Sequence, residues 1–205
     1  MVNTLPQVSA LLPVLLLAFT GLALLLVDTL SPDTRSNTSM AVVSALGALS
    51  SLAATVWFVA SGTGGGDTGG AILLFADAVK VDTMALFFTA IFASVTALVV
   101  VAAHDYFHDH ASPGAFYSLV VFAATGMALL AAANSLAVVF VALEMVSLPS
   151  YVLVAYLKQD RGSVEAGLKY FLVGALSSAI FLFGISLVYA ATGSLLLSDV
   201  AEGIG

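Results

Sequence analysis

Apolar residues in this chain neither alternate nor gather on one helical face. They run together in six stretches, Val8 to Val27, Met40 to Ala60, Thr83 to Ala103, Ala115 to Ala133, Asn134 to Leu157 and Val164 to Thr192. Each is close to the roughly 20 residues that a helix rising about 1.5 Å per residue needs to cross a bilayer. A helix that is apolar on every side is solvated by lipid or by other helices, so the pattern predicts an all-α polytopic transmembrane bundle of about six spanning helices. The first run is too long for a signal-peptide core, has no basic start and shows no small-x-small cleavage site, so it is expected to be retained.

The intervening segments are short and polar, with one exception. Ser61 to Asp82 opens with a glycine-rich stretch that holds no lysine and no Gly-Lys-Ser/Thr ending, so it reads as a flexible linker and not a phosphate cradle. Ile72 to Phe75 within it has the composition of a short strand. Almost no loop separates the fourth and fifth runs, and the tail from Gly193 to Gly205 is short and acidic. Taken in order, residues 1–114 form an N-terminal part with three helices, and 115–205 a second part with three more.

Composition sharpens this picture. The 205 residues are 61% hydrophobic and 8% charged, against about 25% charged in a soluble domain. Mean hydropathy is +1.13. The absence of cysteine excludes disulfides, thiolate metal sites and cysteine-ligated iron–sulfur clusters within the sequence. A net charge of −7 argues against nucleic acid as a partner. Arg35, Lys158 and Arg161 fall in the first, third and fifth connections or at their edges, and Lys80 alone falls on the other side. The positive-inside rule therefore predicts those three connections in the cytoplasm and the N-terminus outside.

One residue stands against the apolar background. Glu144 lies roughly 15 Å from either end of the fifth run, the most costly depth for a carboxylate, about 2.5–3.5 kcal/mol on insertion scales. Pro149 follows five residues later, removing a backbone donor and crowding the carbonyl of Met145, so the helix is expected to bend beside the acid. Ser147, Ser150 and Tyr151 follow at i+3, i+6 and i+7 as polar neighbours. Two readings compete: a hydrogen-bonded clasp between helices, and a protonatable group on an ion path, which the depth favours.

Other polar groups carry less. Glu165 and Lys169 have the favourable Glu-before-Lys i, i+4 spacing at the start of the sixth run, as a helix-start ion pair or an entry relay toward Glu144. His104 and His108 would share a helical face, but Ser112-Pro113-Gly114 closes the segment as a loop and no fourth metal ligand is evident. Asn37-Thr38-Ser39 matches a glycosylation acceptor but falls on the side expected to be cytoplasmic. Gly167, Gly174, Ser178 and Gly184 recur along the sixth run as a packing signal that lets helices approach closely.

With these stretches in view, the chain resembles the antiporter-like membrane subunits of respiratory complex I, in particular the subunit-N group of NADH–quinone oxidoreductase. The resemblance rests on Leu143-Glu144-Met145-Val146-Ser147-Leu148-Pro149-Ser150-Tyr151, on Ser163 through Ala175 with its Leu168-Lys169-Tyr170-Phe171, and on Tyr189 through Ser194. Val81 to Phe88 looks like the family's entry to its third helix. The resemblance implies a proton-translocating membrane subunit without a redox cofactor of its own. It would sit among other membrane subunits of an assembly that uses a quinone and NADH or a similar donor. It also implies that Glu144 is the family's fifth-helix glutamate, Lys169 a sixth-helix lysine and Glu165 the acid one turn before it. The family has about fourteen helices in two inverted repeats, whereas six are seen here, without the seventh-helix lysine expected to pair with Glu144. A subunit of a sodium/proton antiporter and a structural scaffold are the alternatives.

Overall fold

The computed structural model describes residues 9–30, 37–62, 70–106, 113–157 and 160–204. Arg35, His108, Lys158 and most of the glycine-rich stretch lie outside them. Seven α-helices and one hairpin follow in order: α1 (Leu12–Leu30, led by a single 3-10 turn at Ser9–Leu11), α2 (Asn37–Ala60), β1 (Ile72–Leu74), β2 (Val79–Val81), α3 (Thr83–Tyr106), α4 (Pro113–Ala131), α5 (Leu136–Val154), α6 (Arg161–Thr192) and α7 (Leu197–Ile204). Six of the helices are long and apolar enough to cross a membrane, and the chain is a multi-pass membrane protein.

The helices form because a backbone in lipid must satisfy every N–H and C=O internally. The scattered hydroxyls obey the same rule. Thr20, Ser44, Thr55, Thr89, Thr96 and Thr125 each donate to the carbonyl four residues back, at 2.7–2.8 Å, so none presents an open donor to hydrocarbon.

α1 to α4 share one buried cluster: Leu17 and Leu24 of α1, Ala41 and Ala48 of α2, Val100 of α3, and Tyr117, Val121 and Ala124 of α4. α4 is the most enclosed helix, with half of its span buried, while α6 has 6%. α5 packs along α4, and α6 packs chiefly along α5. The architecture is therefore a four-helix block with two helices added in series.

A second cluster closes one end of the block. Ala10 and Leu11 meet Leu74, Val79 and Val81 of the hairpin, Ala85 and Leu86 of α3, and Ala132. β1 and β2 pair antiparallel, Ile72 with Val81 and Leu74 with Val79. The strand expected near Ile72 is present; its partner, Val79–Val81, lies in what the composition suggested was linker. The turn between the strands places three consecutive non-glycine residues, Phe75, Ala76 and Asp77, at φ of 53°, 53° and 65°.

Asn134 explains how that turn is held. The sequence suggested that the fifth helix begins there, but α5 starts at Leu136, capped by the Ser135 hydroxyl, which accepts from the Val138 amide at 3.3 Å. Ahead of the cap, Ala133 pairs antiparallel with Val79 of β2, and the extended Ser135 pairs with Leu196. Asn134 N donates to Ala78 O at 2.9 Å and its Nδ2 to Asp77 O at 2.7 Å. Asn134 O accepts from Leu197 N at 3.1 Å, and Leu136 N donates to Leu195 O at 2.8 Å. One short crossing thus ties the hairpin, the α4–α5 junction and the segment entering α7. That tail is helical over Leu197–Ile204, where a plain acidic tail was expected.

At the opposite end, Asn37 Nδ2 donates to His104 O at 2.8 Å and Tyr117 OH donates to Asn37 Oδ1 at 3.0 Å. The amide of the acceptor-like Asn37-Thr38-Ser39 is therefore engaged inside the bundle. His104 Nε2 lies 3.1 Å from Thr38 Oγ1, and Nδ1 lies 3.2 Å from Asp105 Oδ1. Among the described residues no three His, Asp or Glu side chains gather into a metal-binding group.

Candidate functional site

α5 carries the site, and its continuity sets the geometry. The helix runs unbroken through Pro149, which is buried. Proline has no N–H to offer Met145 O. Beside that weakened turn α4 comes into backbone contact: a Cβ added at Gly126 would lie 2.9 Å from Ala142 O and from the Met145 carbonyl carbon. Glycine is what permits α4 to lie against α5 at the level of Glu144.

On its other side α5 meets α6 antiparallel, in a ladder of paired levels. Ala155 fills the space over Gly167. Tyr151 lies over Gly174 so closely that a Cβ there would overlap the phenol oxygen. Its ring also makes edge contacts with Tyr170 and Phe171, at centroid distances of 4.9 and 5.8 Å. Phe140 meets Phe181 at 6.3 Å. Between these apolar steps comes the polar one: Ser178 Oγ donates to Glu144 Oε1 at 2.5 Å.

The carboxylate therefore sits near the middle of α5, held by a hydroxyl from α6 and bordering an apolar groove of about 360 Å3 walled by Phe122, Phe140, Met145, Leu148 and Pro149. A short hydrogen bond to a carboxylate is of the strong, charge-assisted kind when the acid is ionised. When the acid is protonated, the hydroxyl can turn and accept instead, because serine both donates and accepts. The Ser178 hydroxyl can therefore bond the Glu144 carboxyl in either form.

Other candidates stand apart from it. Ser150 donates to Val146 O at 2.7 Å, and Tyr151 belongs to the α5–α6 packing two turns away. Ser147, one turn from Glu144 on α5, is not the residue that bonds it; Ser178 is. Glu165 and Lys169 pair with each other through Oε1 and Nζ, with side chains 66% and 73% exposed. Lys169 precedes Ser178 by nine residues, about 13 Å along the axis and half a turn round it, so it lies on the face of α6 turned away from Glu144. Ser178 was read in the sequence as a packing residue only, and its hydroxyl is the partner that spacing on α5 could not reveal. Sequence spacing finds neighbours within a helix, whereas this partner comes from the next one.

Comparison with known proteins places these features. Residues 133–204 match the family model described as NADH:quinone oxidoreductase/Mrp antiporter, TM. Over 202 residues the chain is 34% identical to NADH-quinone oxidoreductase subunit N 2 of Koribacter versatilis, covering 94% of this chain and 39% of that protein. Over 200 residues it is 34% identical to F(420)H(2) dehydrogenase subunit N of Methanosarcina mazei, covering 97% of this chain and 40% of that one. A chain of the solved respiratory complex I from Thermus thermophilus superposes with a TM-score of 0.70 at 32% identity, covering 90% of this chain and 38% of its own length. The chain thus spans about two fifths of the length of the relatives it matches.

Proposed function

This chain is a relative of the antiporter-like membrane subunits of NADH–quinone oxidoreductase, and from that premise we propose that it contributes part of a transmembrane proton path in such a complex. Its residues 115–205 would form the start of the first antiporter-like repeat. Quinone and NADH, or a similar donor, would be used by the complex as a whole, with this chain as a translocating subunit and other membrane subunits as its partners. Glu144 is the proton-carrying group in this reading, and the observation that supports it is its mid-helix carboxylate bonded to Ser178 beside the turn that Pro149 weakens.

The Glu165–Lys169 pair serves at the surface end of α6. Lys169 lies about 13 Å along α6 and half a turn from Ser178, so in this reading the two sites would act in series through further groups, with Ser147 and Tyr151 shaping the space around α5. The N-terminus would face outward, with the Asn134 crossing and the hairpin on the same side.

The experiment is Glu144→Gln in host membranes, with proton pumping and quinone reduction measured together. The amide keeps an oxygen for the Ser178 hydroxyl but cannot carry a proton. Loss of pumping with normal assembly is expected. Unchanged pumping would overturn the assignment, and loss of assembly alone would leave Glu144 as a structural clasp. A pH gradient that depends on sodium and not on an electron donor would instead favour the sodium/proton antiporter reading.

A further inference from the structure

A second groove, of about 430 Å3, lies between α3 and α4 at the hairpin end. It is amphipathic along its length. Lys80, Asp82 and Asn134 stand at its mouth, and Lys80 Nζ lies 3.1 Å from Asp82 Oδ2. Below them, Met84, Phe88 and Phe92 recur every four residues down one face of α3, with Met127 and Leu130 of α4 as the facing wall. The Phe88 and Phe92 rings stack at 6.0 Å, giving that wall a continuous flat surface.

Depth and charge narrow the occupant. From Asp82 to Phe92 is about 15 Å along the helix, half of the roughly 30 Å hydrocarbon core, so the groove is as deep as one leaflet. Its polar end is an ion pair, neutral as a unit, in a chain whose net charge is −7. An anionic headgroup would find one cation and a repelling carboxylate, whereas a headgroup with both a phosphate and an ammonium satisfies both members.

We propose that this groove binds a zwitterionic, amine-headed phospholipid, its phosphate on Lys80, its ammonium on Asp82 and one acyl chain along Phe88 and Phe92. The Lys80 side chain is 43% and that of Asp82 26% exposed, so both can be reached by a headgroup in the interfacial layer, where amphipathic contacts of this kind form.

The test uses the full chain with its co-purifying subunits, stripped of lipid in mild detergent and titrated with phosphatidylethanolamine by native mass spectrometry. Tight binding of one lipid is expected, with affinity lowered about fivefold by Lys80→Gln, one lysine's contribution at a membrane surface. Ala131→Phe, which plugs the groove and leaves the ion pair in place, is expected to remove that lipid while the melting profile stays cooperative. Equal phosphatidylethanolamine affinity in both variants would overturn the site. Equal binding of phosphatidylglycerol would overturn the headgroup assignment, and displacement by a quinone analogue at matched concentration would overturn the ligand class.

Discussion

Ser178 and Glu144, 34 residues apart, meet at 2.5 Å between α6 and α5, and theirs is the polar step between the Tyr151–Gly174 and Phe140–Phe181 levels. An interhelical hydrogen bond in a membrane contributes about 0.6–1.7 kcal/mol. Ser178→Ala is therefore expected to lower the stability of the detergent-solubilised chain by about 1 kcal/mol, with Ser178→Thr intermediate. Thermal unfolding followed by circular dichroism checks this. A Ser178→Ala protein as stable as the parent would show that the bond does not hold α6 in place.

Gly126→Ala places a methyl 2.9 Å from the backbone of Ala142 and Met145. Backbone cannot give way as a flexible side chain does, so α4 and α5 must separate, at a cost of about 1–3 kcal/mol. Gly174→Ala is expected to displace the Tyr151 ring instead, since the added carbon falls on its hydroxyl end. Melting temperatures together with the near-ultraviolet tyrosine signal would distinguish the two, with the signal changing mainly in Gly174→Ala.

At the hairpin, Ala76 adopts φ of 53° without being glycine. A left-handed conformation costs an L-residue about 1–2 kcal/mol, part of which Ala76→Gly recovers; the offsetting gain in unfolded-chain entropy leaves an expected net stabilisation of about 0.5 kcal/mol. Asn134→Ala should act oppositely. It removes the side-chain bond to Asp77 O that holds the turn, so protease cleavage near Phe75 should accelerate.

Asp82 caps α3, its Oδ1 accepting from the Ala85 amide at 2.9 Å. Burial pushes its carboxyl up, but the Ala85 amide, the hydrogen bond and charge of Lys80, and the Met84 amide together hold it below the usual carboxylate range. A lowered folded-state pKa means stabilisation that is complete above the unfolded value, about 3.9, and lost as pH falls through the folded one. The stability difference between the parent and Asp82→Ala should thus be about 1 kcal/mol at neutral pH and shrink below about pH 4. A difference that grows on acidification would refute this account.

Apolar run length reveals the six spans because lipid demands it of each helix separately, and for the same reason Glu144 stands out in the sequence. What escaped the sequence depends on pairs of segments. β2 reads as linker until Leu73 and Lys80 are placed opposite each other. Asn134 looks like the first residue of a helix because its neighbours are apolar, yet its amide and carbonyl serve two other segments. Lys169 has the right spacing from Glu165 but the wrong face for Glu144, a matter of helical phase relative to α5 that spacing on α6 alone cannot set.

The serial attachment of α5 and α6 to the block bears on how the protein is made. Each of α1 to α4 finds its buried neighbours among residues synthesised before or soon after it, so this part can compact in the membrane during translation. α6 follows in the chain and packs chiefly on α5, over a few matched levels. Docking of α6 on α5 is therefore separable from packing within the block, and the Ser178–Glu144 hydrogen bond forms only once that docking is made.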